Sequence, residues 1–134
     1  MARLEERLAD AQAALATLEE LVGQDTLSTA ERDGAILRLV YTFEAVWKAA
    51  ALLLEEREGI AVGSPKGAIR ASRRARLLGD ADTEEAGRIA DDRNLTVHMY
   101  KQDLGEAIAE RLAGHAAVLR RWFDALQKRA AVGT

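Results

Sequence analysis

The densest chemistry in the sequence lies in one stretch, Asp91-Asp92-Arg93-Asn94-Leu95-Thr96-Val97-His98-Met99-Tyr100. It gathers an arginine, a carboxamide, a phenol and one of the chain's two histidines. Histidine, with an ordinary pKa near about 6.5, can move a proton to or from a ribose 2′-hydroxyl or a leaving oxygen. Arginine can hold a phosphate in its fork and stabilise the charge that develops on it. Together they are the means for cutting a phosphodiester without a metal. On an ideal helix Asn94 and His98 share a face, whereas Arg93 and His98 are offset by roughly 140° and cannot meet. Two arrangements remain open: the helix breaks near His98, or the partner group comes from a second copy of the chain. A two-fold dimer would bring two histidines and two arginines to one cleft, enough for a separate acid and base. The plain structural alternative has Arg93 bonding a neighbouring carboxylate and His98 capping a helix.

A second cluster, Arg70, Arg73, Arg74 and Arg76, is the strongest local positive charge. Arg70, Arg73 and Arg74 fall on one helical face, suited to an RNA backbone or an acidic partner. The structural alternative is a solvated face balanced by Glu55, Glu56 and Glu58. His115 lies in an apolar stripe and is expected to be a core or interface histidine. Trp47, Trp122, Phe43 and Phe123 are expected to be core or interface anchors. No metal site is expected, because the histidines are far apart and Asp91 and Asp92 diverge on a helix. No cofactor is expected either, since neither phosphate-binding glycine motif occurs.

The elements that must position these residues are helices. The chain has 134 residues, enough for a single domain over 1–134. Hydrophobic residues make up 49% and aromatics only 4%, a balance that disfavours a β-sandwich. Lys and Arg number 19 against 22 Asp and Glu, a net charge of -3, so any nucleic-acid contact must be local. There is no cysteine, which excludes disulfides and thiol catalysis and suits the cytoplasm. No apolar run approaches a membrane span.

Leu4, Leu8, Ala11, Leu15, Leu18 and Val22 make one apolar stripe, predicting a helix over about 2–22 that Gly23 ends in the left-handed conformation. A second helix, about 29–58, opens on a Ser28/Glu31 capping box and stops at Gly59. Its face of Ile36, Leu39, Val40, Phe43, Val46, Trp47, Ala50 and Leu54 is broad enough for a central position. Ser64-Pro65 opens a short third helix, about 65–78. Capping boxes at Asp82/Glu85 and Asp103/Glu106 are expected to open a fourth helix through about 98 and a last one over 104–129. Leu104, Ile108, Leu112, His115, Leu119, Trp122 and Leu126 line the inner side of that last helix. The sum is an all-α, up-and-down four-helix bundle with a short extra helix.

Arg93 to Tyr100 resembles the R-x4-H-x-Y signature of HepT-type HEPN proteins, also known as nucleotidyltransferase substrate-binding proteins. Arg32 to Arg38, Tyr41 to Lys48, Gly63-Ser64-Pro65-Lys66 with Ile69-Arg70, and Asp92-Arg93-Asn94 resemble further blocks of that family, in the same order. The likeness spans about residues 5–125. It implies a HEPN-like bundle that dimerises, with the signature segments of both chains along a shared cleft. It also implies a metal-independent endoribonuclease whose catalytic residues are Arg93, Asn94 and His98. The expected partner is a minimal nucleotidyltransferase antitoxin that adenylylates the motif tyrosine, here Tyr100. The alternative within the same resemblance is a non-catalytic substrate-binding subunit of a two-component nucleotidyltransferase.

Overall fold

The stripe of the first helix meets its complement in the second. In a computed structural model, which describes residues 2–132, α1 spans Ala2–Val22 and α2 spans Thr29–Glu58. Met1, Gly133 and Thr134 lie outside the described residues. Leu4, Leu8, Ala11, Leu15 and Leu18 are all buried against α2, while Val22 is only partly covered. Three further helices follow: α3 over Pro65–Arg74, α4 over Asp80–Leu95 and α5 over Gln102–Ala131. No strand occurs among the described residues, and none of their helices is long and apolar enough to cross a membrane.

α2 packs against all four other helices, as its broad apolar face predicts. α5 closes on α1 and α2 to form the main core, and α3 and α4 cover the remaining side. Phe43, Trp122 and Phe123 are fully buried there. Trp122 is both wedge and pin: its indole Nε1 donates to Ser72 Oγ at 3.1 Å, fixing α3 onto α5. Trp47 packs against this core from the side. It is half-buried at the bundle's edge, and its Nε1 donates to Glu44 Oε2 at 3.2 Å.

The helix ends show where local pattern governs and where it does not. Ser28 and Glu31 form the expected capping box, at 2.9 and 3.1 Å. Gly59 ends α2 at φ 67, a conformation that costs a residue without Cβ nothing. Gly23 has no such φ, because the turn after α1 closes through ordinary bonds from Gly23 N–H to Glu19 C=O and Gln24 N–H to Leu21 C=O. Ser64 and Pro65 start α3 as expected, but the helix stops at Arg74 because Arg76 turns left-handed at φ 64.

Neither of the two later capping boxes forms. α4 begins at Asp80 behind Gly79, and Asp82 instead accepts both arms of Arg121 on α5, at 2.9 and 3.0 Å. α5 begins at Gln102 with no side-chain cap, and Glu106 accepts from Gln102 Nε2. At its far end the capping residue, Val132, is extended. The Arg57 guanidinium reaches across from α2 to donate to the carbonyls of Arg129, Ala130 and Val132, the orphan acceptors a helix terminus leaves.

Ser28→Ala removes one half of the capping box and leaves an exposed amide to water. It is expected to lower the unfolding free energy by about 1 kcal/mol in a denaturant titration, with the slope unchanged.

Candidate functional site

The signature segment begins in a buried knot of charge. His115 on α5 is fully enclosed, with a carboxylate oxygen on each ring nitrogen: Glu85 at Nδ1 and Asp92 at Nε2, both at 2.7 Å. Only the imidazolium form donates on both sides. Arg111, one turn before His115, grips Asp92 through two bonds of 2.8 and 2.7 Å. Burial alone pushes the Asp92 carboxyl up, but the Arg111 and His115 bonds outweigh it and hold it below its ordinary value. Glu85 behaves alike: burial raises it, while Arg88 and His115 bring it lower. His115 is therefore a core histidine, as its place in the stripe predicts, and it ties α4 to α5 immediately before Arg93. Among the described residues no His, Asp and Glu cluster is arranged to hold a metal ion.

Beyond Asp92 the chain leaves the core. α4 ends at Leu95 rather than near 98, and Thr96–His98 form one 3₁₀ turn. Thr96 Oγ1 helps to end the helix by bonding back to Arg93 C=O at 2.7 Å. The helix break is thus the arrangement that occurs in this chain, and the ideal-helix relation between Asn94 and His98 does not apply. None of Thr96, Val97 and His98 is buried. The His98 ring lies edge-on to Tyr100, centroids 6.1 Å apart at 72°, and makes no hydrogen bond among the described residues. It does not cap a helix through its side chain.

Arg93 is held differently. Its Nη2 makes an ion pair with Glu44 Oε1 on α2, and its Nη1 donates to Asn94 Oδ1 at 3.3 Å. Arg93 therefore does bond a neighbouring carboxylate, with donors of the fork left over. Glu44 Oε1 is shielded from solvent and accepts no well-aligned hydrogen bond, so the Arg93 charge is what compensates it. Trp47 Nε1 and, more loosely, Lys48 Nζ at 3.8 Å hold the other Glu44 oxygen. Glu44 is the site residue that the spacing missed. Its segment carried the family likeness, but nothing in a helical pattern tells that α2 meets the end of α4 there.

The two sides of this pair carry uncovered apolar side chains. Leu37 and Tyr41, on the same face of α2, are 49% and 50% exposed, and Val97 and Tyr100 after the break are 74% and 78% exposed. The second arginine cluster stands apart on α3. Arg73 is paired with Asp80 at 2.8 Å, whereas Arg70, Arg74 and Arg76 make no ion pair among the described residues. Glu55 and Glu56 do not balance them, and Glu58 pairs with Arg129.

A family model described as nucleotidyltransferase substrate binding protein like matches residues 6–129. Among solved structures, a protein of Thermus thermophilus is similar at a TM-score of 0.83 and 46% identity, over 87% of this chain and 98% of that one. A chain of the MntA–HpeT toxin–antitoxin structure is similar at 0.78 and 14% identity, over 96% and 99%. A tri-AMPylated Shewanella oneidensis HEPN toxin in complex with MNT antitoxin is similar at 0.75 and 16% identity, over 93% and 96%. The likeness to the two toxin structures is one of fold. No curated protein has a significant match to the sequence.

The charge knot yields two expectations. His115→Ala leaves Glu85 and Asp92 facing each other without their shared donor, and should cost about 3–5 kcal/mol of stability. Both carboxyls titrate below their ordinary values of 4.5 and 3.8 when folded, so their stabilisation is complete above those values. It is lost as pH falls through the lower folded values. Thermal midpoints should drop on the acid side below about pH 4.5, and His115→Ala should flatten that limb.

The Arg93–Glu44 pair makes a third. Arg93→Ala leaves the Glu44 carboxylate buried without its cation and should lower stability by about 1–3 kcal/mol. Adding Glu44→Gln to Arg93→Ala should recover most of that loss, read in a double-mutant cycle by denaturation.

Proposed function

The chain belongs to the nucleotidyltransferase substrate-binding-protein-like family, and from that premise we propose that it is a HEPN ribonuclease toxin. It acts as a dimer, without a metal ion, and a minimal nucleotidyltransferase antitoxin controls it. The observation that carries this reading is the contrast at the helix break. Asp92 is tied into the fold, whereas the His98 imidazole beyond it has no structural task and is open to solvent. An unengaged histidine beside a held guanidinium suits proton transfer next to a bound phosphate.

In the proposed reaction one His98 accepts the proton of the ribose 2′-hydroxyl. The 2′-oxygen attacks the adjacent phosphorus, and the bond to the 5′-oxygen breaks. That oxygen takes its proton from the second His98 across the dimer. The products are a 2′,3′-cyclic phosphate and a free 5′-hydroxyl. Arg93 steadies the charge on the non-bridging oxygens, with Asn94 and Glu44 fixing its direction. Leu37, Tyr41 and Val97 supply the uncovered surface through which two copies meet.

Control falls to Tyr100. Its hydroxyl attacks the α-phosphorus of a nucleoside triphosphate held by the antitoxin, pyrophosphate leaves, and the phenol proton is lost. The resulting phosphodiester stands beside His98, given the 6.1 Å ring contact, where its charge competes with RNA for Arg93.

A second reading is favoured by one observation. Arg93 already pairs with Glu44 within a single chain, which partly neutralises it. A cleft of that kind suits a non-catalytic subunit that presents substrate to a separate nucleotidyltransferase.

The deciding assay incubates the purified protein with RNA in EDTA. Cleavage is expected for the native chain, with His98→Ala slower by about 10²–10⁴-fold. Mass spectrometry after co-expression with the antitoxin should show AMP on Tyr100. Intact RNA with every variant, together with tight nucleotide binding, selects the substrate-binding subunit.

A further inference from the structure

We propose that α3 and the corner after it form a phosphate track, on which Arg70, Arg74 and Arg76 hold the sugar-phosphate backbone of single-stranded RNA irrespective of sequence. The proposal deepens the ribonuclease reading and rests on it for the choice of RNA.

The first observation is a backbone one. Arg76 has φ 64 and is the one non-glycine residue with positive φ among those described. It occupies the left-handed position of a helix stop: Leu77 N–H bonds Ser72 C=O at 2.8 Å and Arg76 N–H bonds Arg73 C=O at 3.0 Å. Glycine is the residue that fits this position without strain, and the same chain places Gly59 at φ 67 to end α2. At residue 76 a Cβ is tolerated instead. Nothing inside the fold offsets it, because the Arg76 side chain is exposed and makes no hydrogen bond or ion pair among the described residues. A strained residue whose side chain serves no internal contact points outward to a ligand.

The second observation is where the neighbouring guanidinium groups stand. Arg70 and Arg74, one turn apart, both border a recess of about 420 Å³ under the Ile60–Ser64 loop. Arg74 also borders the next recess, of about 530 Å³, together with Arg76. Arg70 borders a third, of about 380 Å³, with Lys66 and Asp91. Arg70 and Arg74, both unpaired among the described residues, therefore separate a series of three adjoining hollows; the third also carries the Glu84 and Asp91 carboxylates, so it is the first two that suit a repeating anion. At its near end Lys66 bonds Asp91 at 2.9 Å, and Asp91 lies two residues before Arg93 on α4. The series abuts the helix that carries the site.

The third observation separates a nucleic acid from a protein. The exposed large apolar side chains are Leu37, Tyr41, Leu95, Val97, Tyr100 and Val132, and none belongs to α3 or its corner. Protein interfaces draw their energy from aromatic and arginine anchors seated among desolvated apolar side chains, and stacking of bases depends on aromatic faces. α3 offers neither. What it offers is arginine, whose planar fork matches phosphate oxygens. Contacts of this kind hold the backbone and leave the bases unread.

The test measures binding in a His98→Ala background, so that RNA stays intact, by fluorescence anisotropy of labelled oligouridylate and oligoadenylate over a range of salt. The triple variant Arg70→Ala, Arg74→Ala and Arg76→Gly should weaken both oligonucleotides alike, by at least about tenfold. The slope of log affinity against log salt should fall by about 2, close to 0.7 for each lost phosphate contact. Arg76→Gly alone should reduce the slope by about 0.7 and also raise the thermal midpoint by about 3–5 °C. Unchanged affinity and slope in the triple variant overturn the track, as does loss of antitoxin binding with RNA binding intact. An Arg76→Gly midpoint that stays level or falls removes the strain argument. Chains with native His98 separate the two readings. RNA bound through the track but never cut sinks the ribonuclease alone, while cleavage by the triple variant at unchanged KM sinks the track alone.

Discussion

The contact between α4 and α5 buries the His115 imidazole and the Asp92 carboxylate, with Glu85 and Arg111 closing over them from the rim, and the position of everything at the site follows from it. Asp92 is bound from two directions, by His115 and Arg111, so α4 cannot rotate or slide without parting charges that are out of water. The next residue, Arg93, inherits that fixed frame and meets Glu44 on α2. Three helices are thereby locked at one corner. An apolar contact of equal area could slip by part of a turn. A doubly hydrogen-bonded imidazole between two carboxylates has a single register.

Arginine serves three different ends in this chain, and the differences come from partners rather than from the side chain itself. Arg57 closes the end of a helix, Arg111, Arg120 and Arg121 join helices through carboxylates, and Arg93 is held half-engaged between Glu44 and Asn94. Arg70, Arg74 and Arg76 are left to solvent. A protein of net charge -3 can thus retain a concentrated positive surface, because most of its other arginines are neutralised in place.

Much of this was legible from spacing alone. The stripes of α1, α2 and α5 lie inside as the periodicity predicts, and His115 is a core histidine as its stripe position predicts. Several of the failures share a cause. Asp82 with Glu85, and Asp103 with Glu106, have the spacing of capping boxes, yet Asp82 and Glu85 are claimed by Arg121 and His115 from another helix. A local motif describes the offers a side chain can make to its neighbours in sequence, not the competing offers from across the bundle. Glu44 was missed for the same reason, since its partner Arg93 comes from another helix. The end of α4 could not be placed at Leu95 from helical pattern, since the break depends on Thr96 turning back onto Arg93.

The 3₁₀ turn after Leu95 has one further consequence. Its backbone is held by short-range bonds, Met99 N–H to Thr96 C=O and Lys101 N–H to His98 C=O, and it contributes no buried side chain. The free energy of the whole fold is therefore nearly independent of what this turn contains. Residues there can be altered while the bundle stands, so the surface chemistry of the turn is set without reference to the core.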